Sequence, residues 1–244
     1  MKRILEHLNQ NWIKYGFESF AILISILAAF ALNSWNENRK ESIKENTLMI
    51  NLKRDFTLRQ QELLEFKEAR RNAMVAIREL NRAIANQKNL PSKEKLDTCI
   101  MLISNAMTFN DQFKMLDVLF STGMINDLKN EELKQRLLLW PQQVEEMMEE
   151  QRSRIAMRID FFEPLLFKYV ALREVFELFS FRGYATPKGE PVTYASNYQG
   201  LLSDPTFERY LAELENLLRV NEIDSNILLD NAEQIIKLLD QEIK

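Results

Sequence analysis

Apolar positions along this chain follow two different rules. From residue 15 to residue 35, YGFESFAILISILAAFALNSW, they occupy every face of a helix. Beyond that stretch they recur in alternating steps of three and four, the rhythm of a helix that buries one stripe. Met49, Leu52, Phe56, Leu63, Phe66, Ala73, Ile77, Leu80 and Ile84 keep this rhythm, and Arg59 and Arg70 fill two of its seam positions. No Pro or Gly occurs between Trp35 and Pro91. One helix is therefore predicted from the apolar stretch to about residue 87, extending roughly 75 Å beyond Trp35.

Shorter elements follow. A helix is predicted over 92–107 with Leu96, Cys99, Ile100 and Ile103 inward, and another over 110–121 ending at Gly123 as its C′ residue. Asn130 reads as an N-cap, with Glu131 and Glu132 in the favourable first turn. The stripe Leu133, Leu137, Trp140, Val144, Met147, Ile155 follows, with a kink or break expected near Pro141 and near Pro164. It resumes through Leu165, Tyr169, Leu172, Phe176 and Phe179. Residues 180–203 form the only long irregular stretch, and Asp204-Pro205 opens a last helix. That helix carries Phe207, Leu211, Leu214, Leu218, Leu228, Ala232, Ile235 and Leu239, interrupted at Asn221 and Ser225. The predicted fold is all-α: an N-terminal transmembrane helix running on into a long helix, then an elongated antiparallel helical bundle. Its parts are an interfacial amphipathic segment (1–14), a span (15–36) and a bundle domain (37–244) with an irregular loop at 180–203.

The apolar stretch has the roughly 20 residues that a membrane crossing needs. Nine strong hydrophobes (Phe17, Phe20, Ile22, Leu23, Ile24, Ile26, Leu27, Phe30, Leu32) lie within it. Together they favour insertion by about 3 to 5 kcal/mol, more than Glu18 costs near an interface. Trp12 and Tyr15 at one end and Trp35 at the other fit interfacial anchors. Ala29-Phe30-Ala31 also has the form of a signal-peptide cleavage site, but Glu18 abuts the apolar run and Trp35 sits where an exit-side anchor belongs. The anchor is the favoured reading over a cleaved signal and a buried core helix. Ahead of it, Ile4, Leu5, Leu8, Trp12 and Tyr15 share a helical face, as in a segment lying along the interface. Glu18 shares a face with Ala21, Ser25 and Ala28, small residues that let membrane helices approach closely. That face is a candidate for self-association. The alternatives for Glu18 are a carboxylate reaching headgroup water and an ion pathway through an oligomer.

Glu18, Asn33, Trp35, Asn36 and Glu37 give this region its resemblance to a family of uncharacterised bacterial single-pass membrane proteins. Those proteins open with Gly-Glu-Ile, run through an apolar stretch and close with Asn-Asn-Trp-Asn-Glu. Gly16-Phe17-Glu18 and Ser34 depart from the pattern. FSTGMINDLKNEELKQRL is similar to the family's Ser-Ser-Gly turn and following helix, and AEQIIKLLDQEIK to its final helix. The resemblance implies architecture and a bacterial inner-membrane location, and no activity.

Composition narrows the chemistry. Only 5 Gly and 6 Pro in 244 residues suit long helices, and a net charge of −4 gives no field to draw nucleic acid. The lone histidine, His7, precedes the apolar stretch, and the lone cysteine, Cys99, sits in LDTCIMLI as a small hydrophobe. The bundle therefore has no imidazole for a nucleophilic pair or di-iron ligand set, and one thiol cannot build a zinc or iron–sulfur site. No Gly-rich phosphate loop is present. No catalytic residue, metal or cofactor is expected. The acidic run EEMMEE (residues 145–150) reads as a solvated face, expected to pair with the basic patch of KEARR, Arg78 and Arg82. Arg182, Tyr184, Tyr194 and Tyr198 of the 180–203 loop offer the guanidinium and aromatic contacts that interfaces favour. The expected partners are the lipid bilayer and either further copies of the chain or another membrane protein. Basic residues after the span (Arg39, Lys40, Lys44, Lys53, Arg54) outnumber those before it (Lys2, Arg3, Lys14) and argue for a cytoplasmic bundle, whereas a short basic tail before a first span often stays inside. A periplasmic bundle is the adopted orientation.

Overall fold

The computed structural model describes residues 2–104, 109, 112–181, 184–185, 187–190 and 192–243, with backbone alone at 2–15, 180–181 and 184–185. The fold is all-α. Its helices are α1 (Lys2–Ala85), α2 (Lys93–Ser104), α3 (Lys114–Ser121), α4 (Glu131–Met157), α5 (Glu163–Tyr169), α6 (Leu172–Phe176), α7 (Tyr198–Leu202) and α8 (Pro205–Glu242). A two-residue antiparallel pair, β1 (Ser180–Phe181) and β2 (Tyr184–Ala185), follows α6. The chain divides into two compact units, Met1–Asn51 with Glu242–Lys244, and Leu52–Gln241, and α1 contributes to both. α1 is continuous from Lys2, with no break between the predicted interfacial segment and the apolar stretch.

The larger unit is organised by α1 and α8. Lys53, Gln60 and Lys67, one heptad apart, meet Asp240 (2.5 Å), Glu233 (3.4 Å) and Asn226 (3.1 Å), one heptad apart in reverse. The two helices therefore run antiparallel in fixed register. α4 runs parallel to α1: Trp140 meets Phe56 edge-on at 4.8 Å, and Arg154 lies 5.9 Å over the Phe66 ring. Phe113 closes this layer, 5.3 Å from Trp140 and 5.9 Å from Phe56, with Arg59 5.7 Å over its ring. A second apolar cluster joins the far end of α1 to α2, α5, α7 and the start of α8, where Phe162 stacks on Tyr210 at 4.5 Å.

The seam of α8 runs without a missed step through Phe207, Leu211, Leu214, Leu218, Asn221, Ser225, Leu228, Ala232, Ile235 and Leu239, all buried. The expected interruption at Asn221 and Ser225 is one of chemistry and not of packing. Asn221 meets Arg70, itself only 4% exposed, which donates from Nη1 to the Asn221 carbonyl (2.8 Å) and to Asn221 Oδ1 (3.1 Å), while Ser225 Oγ donates within α8 to the Glu222 carbonyl (3.3 Å). Nη2 of Arg70 is buried without a hydrogen-bond partner, and burial lowers the guanidinium's pKa against the raising pull of Glu222.

Several sequence expectations change here. Pro141 lies inside α4 without ending it. The ring itself is on an exposed position of the helix. Near Pro164 the helix widens into a π-turn over Arg158–Phe162, in which the Glu163 N–H reaches back to the Arg158 carbonyl. One extra residue per turn accommodates the proline at the start of α5 instead of breaking the chain. Other expectations hold: Asn130 Oδ1 accepts from the Leu133 N–H at 3.1 Å, Asp204 Oδ1 from Thr206 N–H at 3.0 Å, and Gly123 takes the left-handed conformation at φ 74°. α2 and α3 cover 93–104 and 114–121 of their predicted ranges, whose remaining ends fall partly outside the described residues.

The Arg70–Asn221 contact predicts a specific non-additivity. Asn221→Leu should cost about 2 kcal/mol, because it strips a hydrogen bond from a buried cation. Adding Arg70→Met should recover most of that loss, since an apolar layer of similar volume needs no partner. Urea unfolding of the full chain in detergent checks both, and equal losses in the single and double variants would refute the coupling.

Candidate functional site

α1 holds one stretch long and apolar enough to cross a membrane, and none of its most apolar window is buried by protein. Ile22, Leu23, Ile24, Ile26 and Leu27 point around most of the helix circumference, and each is between 48% and 61% exposed. Phe17 and Phe30 stand out further, at 72% and 67%. Glu18, Ala21, Ser25 and Ala28 are also exposed, and Ser25 Oγ donates to the Ala21 carbonyl at 2.8 Å, so its polar atom is satisfied within the helix. At the downstream end, Trp35 is 61% exposed with the Arg39 guanidinium 5.6 Å over its ring, and Asn33 Nδ2 donates to Glu37 Oε1 at 3.0 Å. Trp12 and Tyr15 lie on α1.

Within the 180–203 loop the described residues include β1, β2 and α7. Arg182 lies outside the described residues, the Tyr184 backbone pairs with Phe181, and Tyr194 is 57% exposed. Tyr198 is no surface residue. It opens α7, which Asn197 caps by accepting from the Gly200 N–H at 2.8 Å, and its side chain is 6% exposed. Its hydroxyl donates to buried Asp97, whose other oxygen accepts from Lys93 at 2.7 Å, and Lys93 also reaches Glu174 at 2.8 Å. The assignment of Tyr198 as a partner contact is therefore corrected: it latches α7 to α2. Burial, reinforced by Asp97, pushes the Tyr198 phenol far up, so it remains a donor. Burial disfavours the Lys93 ammonium, but the Asp97 and Glu174 hydrogen bonds outweigh it and hold its pKa above the lysine norm. Sequence spacing gave no signal for this latch, because Asp97 sits in an ordinary amphipathic helix and its partners lie far along the chain.

The seam between α4 and α8 is a second place where chemistry gathers. Arg136 donates to Glu132 at 3.1 Å and to Asn231 Oδ1 at 3.4 Å, and Asn231 Nδ2 donates to Gln143 Oε1 at 2.8 Å. Beside this network is an open groove of about 610 Å³, lined by Glu132, Leu139, Gln143, Ile227 and Asp230 among others. Leu139 and Ile227 are 49% and 46% exposed, and one turn along α8 Ile223 is 61% exposed. Toward that same end Asp224 of α8 couples electrostatically with Glu146 and Glu150 of α4. Burial and then Glu146 raise the Asp224 pKa, while burial, Asp224 and Glu149 raise that of Glu150. The sequence marked the acidic run on α4 but not its partner Asp224, nor Val220, Ile223 and Ile227, whose 3-4 spacing runs out of phase with the α8 seam. The expected pairing of the acidic run with the α1 basic patch does not occur at Arg71 or Arg82, which bond within α1 to Glu68 (2.9 Å) and Glu79 (2.6 Å).

Cys99 is buried, and that burial, with Glu79 nearby, raises its thiol pKa away from thiolate chemistry. Among the described residues, no group of three or more His, Cys, Asp or Glu is placed to hold a metal ion. No protein-family model, curated protein or solved structure matches this chain.

Two outcomes follow from these clusters. Tyr198→Phe leaves an Asp97 oxygen without its donor and should cost about 1 to 3 kcal/mol in urea unfolding, whereas Tyr194→Phe should change nothing. Asp224 has a folded-state pKa above its unfolded one, so the folded state binds the extra proton. Its contribution is unfavourable above that window and relieved as pH falls through it. Asp224→Asn should therefore raise the thermal midpoint at neutral pH and leave it unchanged in acid; a lower midpoint at neutral pH would show that the carboxylate is favourably paired.

Proposed function

We propose that this chain is a single-pass membrane protein in which the N-terminal helix anchors a non-catalytic helical bundle that works by association. One observation carries the anchor. A coiled-coil or core helix has an apolar stripe, whereas residues 16–35 are apolar and exposed around the helix. One protein helix covers one side; lipid covers all of them. The Trp35–Arg39 contact supports the same reading, because it places an amphipathic ring and a cation where an interface would hold both. The face of Glu18, Ala21, Ser25 and Ala28 is the proposed contact between copies, its small side chains allowing close approach. Following the resemblance, the membrane is the bacterial inner membrane, with the bundle on the periplasmic side.

The test is alkaline extraction followed by flotation of membranes containing the full chain. The wild type should float with lipid. Leu23→Lys with Leu27→Lys adds about 3 kcal/mol of insertion cost per charge and should shift the chain to the soluble fraction. A wild-type chain released by alkali would overturn the anchor. In a Cys99→Ser background, cysteines at Ala21 or Ser25 should cross-link between copies and a cysteine at Leu23 should not.

A further inference from the structure

We propose that the groove between α4 and α8 docks a basic amphipathic helix of a partner protein. This rests on the reading of the bundle as an association module, but not on its membrane anchorage.

The groove is built to hold something apolar. Leu139 on one wall and Ile227 on the other are about half exposed, and Ile223, one turn beyond the lining on α8, is 61% exposed, although α4 and α8 each already bury a complete stripe in the core. Ile223 and Ile227 lie one turn apart, a spacing that an incoming helix matches with residues at i and i+4. The apolar face is therefore a second one, separate from the seam that folds the bundle.

Charge selects the occupant. Among the described residues lining the groove, the arginine is Arg136, and it is already bonded to Glu132 and Asn231. Asp230 lies in the wall, and beyond the lining, next to Ile223 on α8, Asp224 feels the charge of Glu146 and itself acts on Glu150 across the α4–α8 seam. One oxygen of Glu150 is buried without a hydrogen-bond partner. A carboxylate cluster raised in pKa by burial and mutual repulsion costs the isolated bundle stability, and lysines or arginines from outside would offset that cost. A second copy is the wrong occupant. A two-fold contact would set this acidic face against itself, and like charges opposed across an interface disfavour it. An acidic helix is rejected on the same ground, which leaves apolar residues on one face flanked by basic ones.

The experiment uses the full chain in nanodiscs of zwitterionic lipid, with empty nanodiscs as the blank. The probe is a fluorescent synthetic helix of about five turns, with leucines at i, i+3, i+4 and i+7 and lysines elsewhere. A second peptide replaces every lysine by glutamate. The lysine peptide should bind above the blank and the glutamate peptide should not. Leu139→Ser with Ile227→Ser, and separately Glu146→Gln with Asp224→Asn, should each weaken binding by about tenfold or more. Circular dichroism should show both variants folded, since all four positions lie on the surface of the seam. Unchanged affinity in either folded variant, or equal binding of the two peptides, would overturn the proposal. So would a peptide-free oligomer in sedimentation that these substitutions dissociate, because the occupant would then be a second copy. None of the four substitutions touches residues 16–35, so flotation reports on the anchor independently, and a chain that fails to float is titrated in solution instead.

Discussion

The larger unit depends on one pairing, the antiparallel alignment of α1 with α8. It joins segments more than a hundred residues apart, so loop closure is a cost that must be met before either helix buries its stripe. Register makes that possible. Lys53–Asp240, Gln60–Glu233 and Lys67–Asn226 repeat at heptad intervals, and the buried positions between them interlock in the same phase. The exposed ion pair and amide contacts contribute little energy individually. Their value is that a slip of one residue breaks all of them and rotates apolar positions out of the seam. Once α1 and α8 are aligned, α4 finds its place in the groove they form, with Trp140 against Phe56 and Phe113.

Within that pairing, the Arg70–Asn221 layer divides the apolar core into two parts. One is centred on Phe56, Phe113 and Trp140, the other on Phe162, Phe207 and Tyr210. A buried cation with one unsatisfied nitrogen adds little to stability, but it discriminates strongly between registers, because any shift takes Arg70 from its acceptors. Apolar layers alone are more forgiving: leucine packs against leucine in several alignments. The polar layer therefore fixes which of several near-equivalent alignments the helices adopt, as a single polar seam residue does in a coiled coil.

Much of this was legible in the sequence because helices write their burial as a period. The 3-4 alternation located α1 and α8, Asn130 and Asp204-Pro205 marked helix starts, and Gly123 marked an end. What failed to show were features set by partners distant in the chain. Tyr198 looked like a loop aromatic, and only the fold places Asp97 beneath it. Asn221 and Ser225 looked like breaks because apolar periodicity scores residue type, whereas the seam needs only side chains that can be satisfied. Near Pro141 a kink or break is predicted, and α4 runs through it, because propensity ignores which side of the helix faces water. The second apolar face of α8 was hidden for a related reason: once the stronger stripe explains the helix, Val220, Ile223 and Ile227 read as scatter.

The two apolar surfaces left open differ in a way that separates their roles. Residues 16–35 are apolar without a preferred side and carry one charge, Glu18, near one end; such a surface fits a solvent, since lipid makes no demand on orientation. The α4–α8 groove is apolar over a narrow strip and bordered by acids that repel one another. A solvent would gain little from it, because lipid tails cannot meet the carboxylates and water cannot use the isoleucines. A partner presenting both characters at the right spacing would satisfy it, which is why the proposed occupant is a basic amphipathic helix. The cost of keeping Asp224 beside Glu146 and Glu150 points the same way: a charge cluster that weakens the free bundle is retained most readily where a complex relieves it.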